Sequence, residues 1–188
     1  MNASVENHPL GATGVWSAAL RYGDAAAAAE AAAELESLGY GALWVPDVGG
    51  DLFGALENLL EATSTATIAT GILNLWMHTP EETAARYNEF VSGFGERLML
   101  GIGVSHAPLA NMLKEGQYKK PLARTTEYLD RLDEADPAVP VQHRMLAALG
   151  PKMLELAKDR TAGSHPYLVT PEHTARVRDA LGSDRLVA

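Results

Sequence analysis

The sequence contains no cysteine, which excludes disulfide bonds, cysteine-ligated zinc, iron–sulfur clusters and thiol nucleophiles. It also lacks a run of about 18 uninterrupted apolar residues, so we expect no membrane partner. Positive charge is scarce: 15 Lys and Arg against 24 Asp and Glu give a net charge of −9. This balance argues against a nucleic-acid partner, which requires clustered positive charge.

The first ten residues contain no basic region followed by an apolar one. We therefore expect no signal peptide and a cytoplasmic location. A glycosylation sequon at Asn2 is interpreted as chance. The chain has 188 residues, of which 47% are hydrophobic and 21% charged, as in ordinary globular proteins. This length suffices for a sizeable core, and residues 1–188 are interpreted as a single domain.

Short apolar runs alternate with helical patterns along the chain. Strand-helix units of roughly 25–30 residues are typical of βα crossovers on a parallel sheet. The segment 105–120 is predicted to be irregular. The predicted strands are 14–20, 42–46, 67–75, 98–104, 141–148 and 162–169, with a seventh beginning at 185. The predicted helices are 24–38, 51–63, 79–94, 121–133, 151–160 and 170–182.

Two architectures fit this alternation: an open doubly wound sheet and a (β/α)₈ TIM barrel. The open sheet would require a nucleotide-binding fingerprint, but the sequence from Gly101 and Gly103 has His106 in place of the third glycine. A TIM barrel normally has about 250 residues. We therefore predict an incomplete α/β barrel of six βα units plus the start of a seventh strand, lacking its C-terminal part.

The turn around Gly150 is the best candidate for ligand binding. Glycine allows a ligand to approach the backbone closely, and Pro151 in the first helical turn leaves the following N–H groups free. Those amides, the helix dipole and Lys152 would together form an anion site. The alternative is a simple helix start with a surface lysine.

Other polar residues also follow predicted strands. Asp47 would either accept a hydrogen bond from a cofactor ring or cap the next helix. His78, His106 and His165 match no helical metal-binding spacing, so we predict no metal site. Nucleophilic serine catalysis is rejected because residues 103–107 fail the G-x-S-x-G pattern.

Four stretches, 38–47, 69–73, 97–104 and 146–153, together resemble the luciferase-like monooxygenase superfamily. The likeness is greatest to its coenzyme F420-dependent oxidoreductase branch and to actinobacterial members. The order and spacing of the stretches carry this resemblance, which extends over nearly the whole chain from Gly14.

The resemblance implies a (β/α)₈ barrel that binds F420, or alternatively FMN, at the end of the barrel where the strands terminate. It implies an oxidoreductase that transfers a hydride between this cofactor and an unknown small organic substrate. A bulge with a non-proline cis peptide is implied at Gly71–Ile72. The cofactor-binding residues implied or assigned are Asp47, Gly71, Ile72, Gly103, Ser105, Ala148, Leu149, Gly150 and Lys152.

The sequence departs from the family at two positions. Val48 stands where some deazaflavin dehydrogenases have histidine, and His106 stands where they have glutamate. A sugar-phosphate dehydrogenase activity is therefore not supported, and His106 becomes the candidate proton donor. Family members also continue beyond this length, so we expect unpaired strand edges and a homo-oligomer.

Other functions remain open from the residues alone. One is an FMN-dependent monooxygenase. Another is a non-catalytic incomplete barrel that binds an anionic ligand or self-associates. An aldolase or isomerase on the same fold ranks last, because the sequence lacks a strand-end lysine or paired carboxylates.

Overall fold

The computed structural model describes residues 10–188, so the sequon at Asn2 lies outside the described residues. The strands are β1 Gly14–Trp16, β2 Ala42–Val45, β3 Thr67–Thr70, β4 Leu73–Asn74, β5 Leu98–Gly103, β6 Arg144–Leu146, β7 Gly163–Ser164 and β8 Leu186–Val187. The helices are α1 Ala19–Tyr22, α2 Ala25–Ser37, α3 Leu52–Ala62, α4 Pro80–Phe94, α5 Ala107–Leu113, α6 Pro121–Glu134, α7 Pro151–Arg160 and α8 Pro171–Leu181. Within this part of the chain, every helix is too short or too polar to span a bilayer.

The described residues divide into two compact units. The first comprises the residues up to Gly71 together with Arg86–Met99. In it, β1, β2 and β3 pair in parallel, and the first residues of β5 pair with β3. Every residue of β2 and β3 is buried, which is typical of parallel strands covered on both faces.

The second unit comprises Ile72–Ala85 and Leu100–Ala188. In it, β6 pairs in parallel with the later residues of β5, β7 pairs with β6, and β8 pairs with β7. The short strand β4 also pairs with β5. Ile102 is in register with Leu146, and Leu146 is in register with Ser164. The carboxyl ends of β5, β6 and β7 therefore lie at one edge of the sheet.

The strand order is β1–β2–β3–β5–β6–β7–β8, and every pairing is parallel. This order follows the chain, as in a TIM barrel, rather than reversing as it does in a doubly wound sheet. The predicted α/β class and the incomplete TIM-barrel type are confirmed. The strand predicted to begin at residue 185 is β8.

Local sequence signals set most helix boundaries. The carboxylates of Asp24 and Asp51 accept hydrogen bonds from the backbone of Ala27 and Gly54, so each caps the helix that follows it. After α2, Gly39 adopts a φ of +91°, which residues with a side chain rarely adopt. The predicted helices 24–38 and 51–63 are thus confirmed as α2 and α3.

Two strand predictions in the first half of the chain are wrong in extent. The predicted strand 14–20 ends at Trp16, and α1 begins at Ala19, because alanine and leucine favour helix. The predicted strand 67–75 breaks at Gly71 into β3 and β4.

The only cis peptide among residues 10–188 is Asp136–Pro137, so the expected cis bond at Gly71–Ile72 is also wrong. A trans bond avoids the cost of about 3 kcal/mol that a non-proline cis bond carries.

Three further predictions change in the second half. The segment predicted to be irregular contains α5, which has Pro108 in its first turn. A 3-10 turn, Val141–His143, replaces the first residues of the strand predicted at 141–148. The strand predicted at 162–169 is reduced to Gly163–Ser164, because Pro166 has no backbone N–H for a sheet.

Candidate active site

In the first unit, Asp47 follows the buried strand β2 and is itself buried, with 4% of its surface exposed. Its carboxylate accepts a long hydrogen bond, 3.4 Å, from the backbone of Gly49. It does not cap α3, because Asp51 performs that function. A buried carboxylate at the carboxyl end of a strand fits the predicted polar contact to a cofactor ring.

Gly71 lies at the same edge as Asp47, because its N–H donates to the carbonyl of Val45 at 2.7 Å. Its own carbonyl accepts a hydrogen bond from the indole Nε1 of Trp16, also at 2.7 Å. Both backbone polar groups of Gly71 therefore have protein partners. A ligand would therefore pack closely against the Cα of Gly71, which has no side chain, rather than form hydrogen bonds with its backbone.

Sequence reasoning missed two residues that support the loop after β2. Arg21 is buried and donates to the carbonyl of Gly49 at 2.9 Å. The hydroxyl of Tyr22 accepts a hydrogen bond from the N–H of Val48 at 2.8 Å. Both belong to α1, which the strand prediction obscured. Their signal was the helix-forming run ending at Tyr22, directly before the turn at Gly23.

In the second unit, Gly103 and Ile72 are in close contact at the end of β5. A Cβ built on Gly103 would lie 3.0 Å from the Cβ of Ala147 and 3.1 Å from the Cδ1 of Ile72. Gly103 also accepts a hydrogen bond at its carbonyl from the N–H of Leu75 at 3.1 Å. The absence of a side chain at Gly103 thus allows three neighbouring chain segments to meet.

Ser105 and His106 follow immediately. Ser105 has a φ of +54°, a left-handed conformation that is uncommon for a residue with a side chain. His106 is exposed and precedes α5, but its side chain makes no capping hydrogen bond. His106 is therefore accessible to solvent, and proton transfer would further require its imidazole to lie within hydrogen-bond distance of the substrate.

The predicted anion site lies at the start of α7. Ala148 is buried, while Leu149, Gly150 and Lys152 are exposed. A Cβ built on Gly150 would meet no atom within 4 Å, so open space adjoins this backbone. The carbonyl of Gly150 accepts hydrogen bonds from Met153 and Leu154 at 3.1 and 3.0 Å.

This turn fits a phosphate group. Pro151 has no N–H, and the N–H of Lys152 precedes the helical hydrogen bonds at Met153 and Leu154. That amide, the positive end of the helix dipole and the Lys152 ammonium are available beside open space. The residues present therefore suit a cofactor that carries a phosphate.

The other two candidate histidines, His165 and His78, lie in surroundings that favour a structural role. His165 is buried after β7, and this burial lowers the pKa of its imidazole, which favours the neutral form. His78 lies 3.4 Å from the carboxylate of Glu82, one turn further along. In the part of the chain that the structure describes, no three His, Asp or Glu side chains are grouped to hold a metal ion.

The parallel strands, which pair in the order in which they occur along the chain, define an incomplete α/β barrel. The sequence profile of the luciferase-like monooxygenase family matches residues 5–144, more than half of the chain. The chain belongs to this family. No curated protein sequence matches it.

Solved structures share the fold. An F420-dependent secondary alcohol dehydrogenase bound to an F420–acetone adduct has a TM-score of 0.73 and 17% identity, over 87% of this chain and 63% of that one. The F420-dependent tetrahydromethanopterin reductase of Methanopyrus kandleri has a TM-score of 0.62 and 18% identity, over 81% and 56%. The FMN-bound oxygenating constituent of 3,6-diketocamphane monooxygenase from Pseudomonas putida has a TM-score of 0.70 and 14% identity, over 90% and 60%. The chain spans less than two thirds of the length of each.

Proposed function

We propose that the protein is a deazaflavin-dependent oxidoreductase that transfers a hydride between coenzyme F420 and a small organic substrate. The observation that carries this proposal is the open, amide-presenting turn at Gly150 in a chain of the luciferase-like family. F420 is favoured over FMN by the sequence resemblance, and two similar folds belong to F420-dependent enzymes. When bound, the cofactor supplies the hydride donor and acceptor.

The protein's own residues would bind and orient the cofactor and would transfer a proton. The turn from Ala148 to Lys152 would hold the cofactor phosphate through a backbone amide and a lysine charge. Asp47 would accept a hydrogen bond from a polar group of the ring. His106 would exchange the substrate proton with solvent, since its imidazole is exposed.

Cofactor binding is measured by titrating the purified protein with F420 and, separately, with FMN, following absorbance and fluorescence. We expect saturable spectral changes with F420 at lower concentration than with FMN. Tighter binding of FMN would support the alternative monooxygenase. The absence of saturable changes with both compounds would contradict the proposed function.

The phosphate assignment has a specific test in Gly150→Val. Because a Cβ at this position meets no protein atom within 4 Å, the variant should fold normally. The valine would occupy the space of a phosphate, and we expect at least about a tenfold loss of cofactor affinity. Gly93→Val is the matched control, since Gly93 is exposed in α4 and also adjoins open space. Equal affinity of the two variants would refute the assignment.

A second candidate function is self-association without catalysis. Among the described strands, β1 pairs only with β2, and β8 pairs only with β7. Unpaired strand edges can bind another copy of the same chain. Sedimentation of the protein at several concentrations tests this candidate, and a monomer at all concentrations would contradict it.

A further inference from the structure

We infer that a cavity between α7 and α8 binds a short apolar peptide whose amino and carboxyl ends are both free. This inference goes beyond the proposed function, because it assigns a second binding site that the reaction does not use. The cavity belongs entirely to the second unit and has a volume of about 600 Å³. Volumes of about 300–1,000 Å³ are typical of sites for small molecules.

Each helix presents one face to this cavity. The lining residues of α7 recur at helical spacing from Pro151 to Asp159, and those of α8 recur in the same way from His173 to Ala180. Leu154 and Val177 are buried and therefore lie on the inner side of the cavity, toward the core. An apolar ligand body in contact with these two side chains would be removed from water, which favours binding.

Charged side chains of opposite sign line the two walls without pairing. Glu155 and Asp159 lie one turn apart on α7, where like charges repel each other. Arg176 lines the cavity from α8. The side chains of these three residues make no hydrogen bond or ion pair with another described residue, so the guanidinium lies beyond ion-pair distance of both carboxylates. A ligand with an ammonium group at one end and a carboxylate at the other would pair with both walls.

Other basic side chains of α7 do have partners. The ammonium of Lys158 donates to the carbonyl of Ala180 at 3.3 Å, and Arg160 pairs with Asp130 and Asp133. The unpaired charges are therefore a property of the cavity and not of the whole helix.

A buried nitrogen favours a peptide over a single amino acid. Nε2 of His173, in the cavity lining, is buried and has no hydrogen-bond partner among residues 10–188. Buried polar atoms normally have such a partner. The internal amide of a peptide has both an N–H donor and a carbonyl acceptor, so it can bond to either protonation state of this nitrogen.

The test uses leucyl-leucine and two matched peptides. N-acetyl-leucyl-leucine lacks the ammonium charge, and leucyl-leucine amide lacks the carboxylate charge. Each peptide is titrated into the ¹⁵N-labelled protein, and the shifts of the backbone amide signals are followed by NMR. We expect saturable shifts with leucyl-leucine, and binding of each modified peptide about three- to fivefold weaker, since each loses one ion pair at an exposed site.

Two variants assign the charges. Arg176→Gln should weaken the binding of leucyl-leucine about three- to fivefold, but should not change the affinity for the amide, which has no carboxylate. Glu155→Gln should weaken the binding of leucyl-leucine but not of the N-acetyl peptide. Lys114→Gln and Glu115→Gln are the matched controls, because both residues are exposed and neither lines the cavity.

Several results would overturn the inference: no saturable shifts with leucyl-leucine, equal affinity for the three peptides, or equal effects of the cavity and control variants. Displacement of the peptide by F420 would also overturn it, since the cavity would then belong to the cofactor site. Peptide binding without cofactor binding contradicts only the proposed function, whereas cofactor binding without peptide binding contradicts only this inference.

Discussion

Oε1 of Glu36 lies 2.7 Å from the backbone nitrogen of Ala66. The same carboxylate also accepts hydrogen bonds from the N–H groups of Ser64 and Thr65 and from the Thr65 hydroxyl. The side chain of Glu36, in α2, thus accepts the hydrogen bonds of the backbone N–H groups in the turn that precedes β3. Burial alone would raise the pKa of Glu36, but these hydrogen bonds outweigh it and lower the pKa to about 2.

The first prediction concerns acid stability. The pKa of Glu36 is lower in the folded protein than the ordinary value of 4.5, so its contribution is complete above pH 4.5 and is lost as the pH falls toward 2. Glu36→Ala should lower the free energy of unfolding at pH 7 by about 1–2 kcal/mol. The difference from wild type should shrink between pH 4.5 and 2. Urea titrations at several pH values measure both effects, with Glu34→Ala, an exposed residue of the same helix, as control. An equal loss at pH 7 and at pH 2.5 would contradict this account.

The second prediction concerns Arg144, which is fully buried at the start of β6 and contacts the carboxylate of Asp133. Asp133→Asn would leave the buried guanidinium without its counter-charge, but Asp133 is 42% exposed and water can partly replace it, so we expect a loss of about 2 kcal/mol in unfolding free energy. Asp130→Asn removes only an exposed contact of Arg160 and should cost less than about 1 kcal/mol. Chemical denaturation of both variants provides the comparison. Similar losses of unfolding free energy in the two variants would show that the burial of Arg144 does not determine the cost of removing its partner.

The third prediction concerns the pairing of β7 with β8. A Cβ built on Gly163 would lie 2.1 Å from the carbonyl oxygen and 2.6 Å from the nitrogen of Leu186. These are backbone atoms, so Gly163→Ala should separate the two strands at a cost of about 3 kcal/mol. Gly150→Ala is the matched control, because its added Cβ meets nothing. Thermal unfolding measures the difference, and equal melting temperatures would refute the close approach.

The fourth prediction concerns the proposed proton donor. His106→Ala should reduce kcat about 100-fold, because a positioned acid or base typically contributes this much. Cofactor affinity should remain within about twofold of wild type, since His106 belongs to a different loop from Gly150. Steady-state kinetics and cofactor titration measure the two effects. Glu34→Ala, at an exposed position of α2, should leave kcat unchanged. A loss of cofactor affinity with normal kcat would assign His106 to binding instead.

Some features follow from local sequence. The caps Asp24 and Asp51 and the glycine after α2 act within one or two turns of the chain, so short patterns predict them well. The order of alternating strands and helices predicts a parallel sheet because a crossover helix forces neighbouring strands to run the same way. For the same reason, the sequence predicted that the end of the strand containing Gly103 and the turn containing Gly150 lie at the same edge of the sheet, and the parallel pairing of β5 with β6 agrees with this prediction.

The tertiary structure decided what depends on contacts between distant residues. The strand predicted at 67–75 breaks at Gly71, whose backbone bonds to Val45 and to the Trp16 side chain. The support of the Asp47 loop by Arg21 and Tyr22 comes from a helix more than 20 residues earlier. Burial and hydrogen-bond partners at such positions are set by packing, and no local pattern in the sequence encodes them.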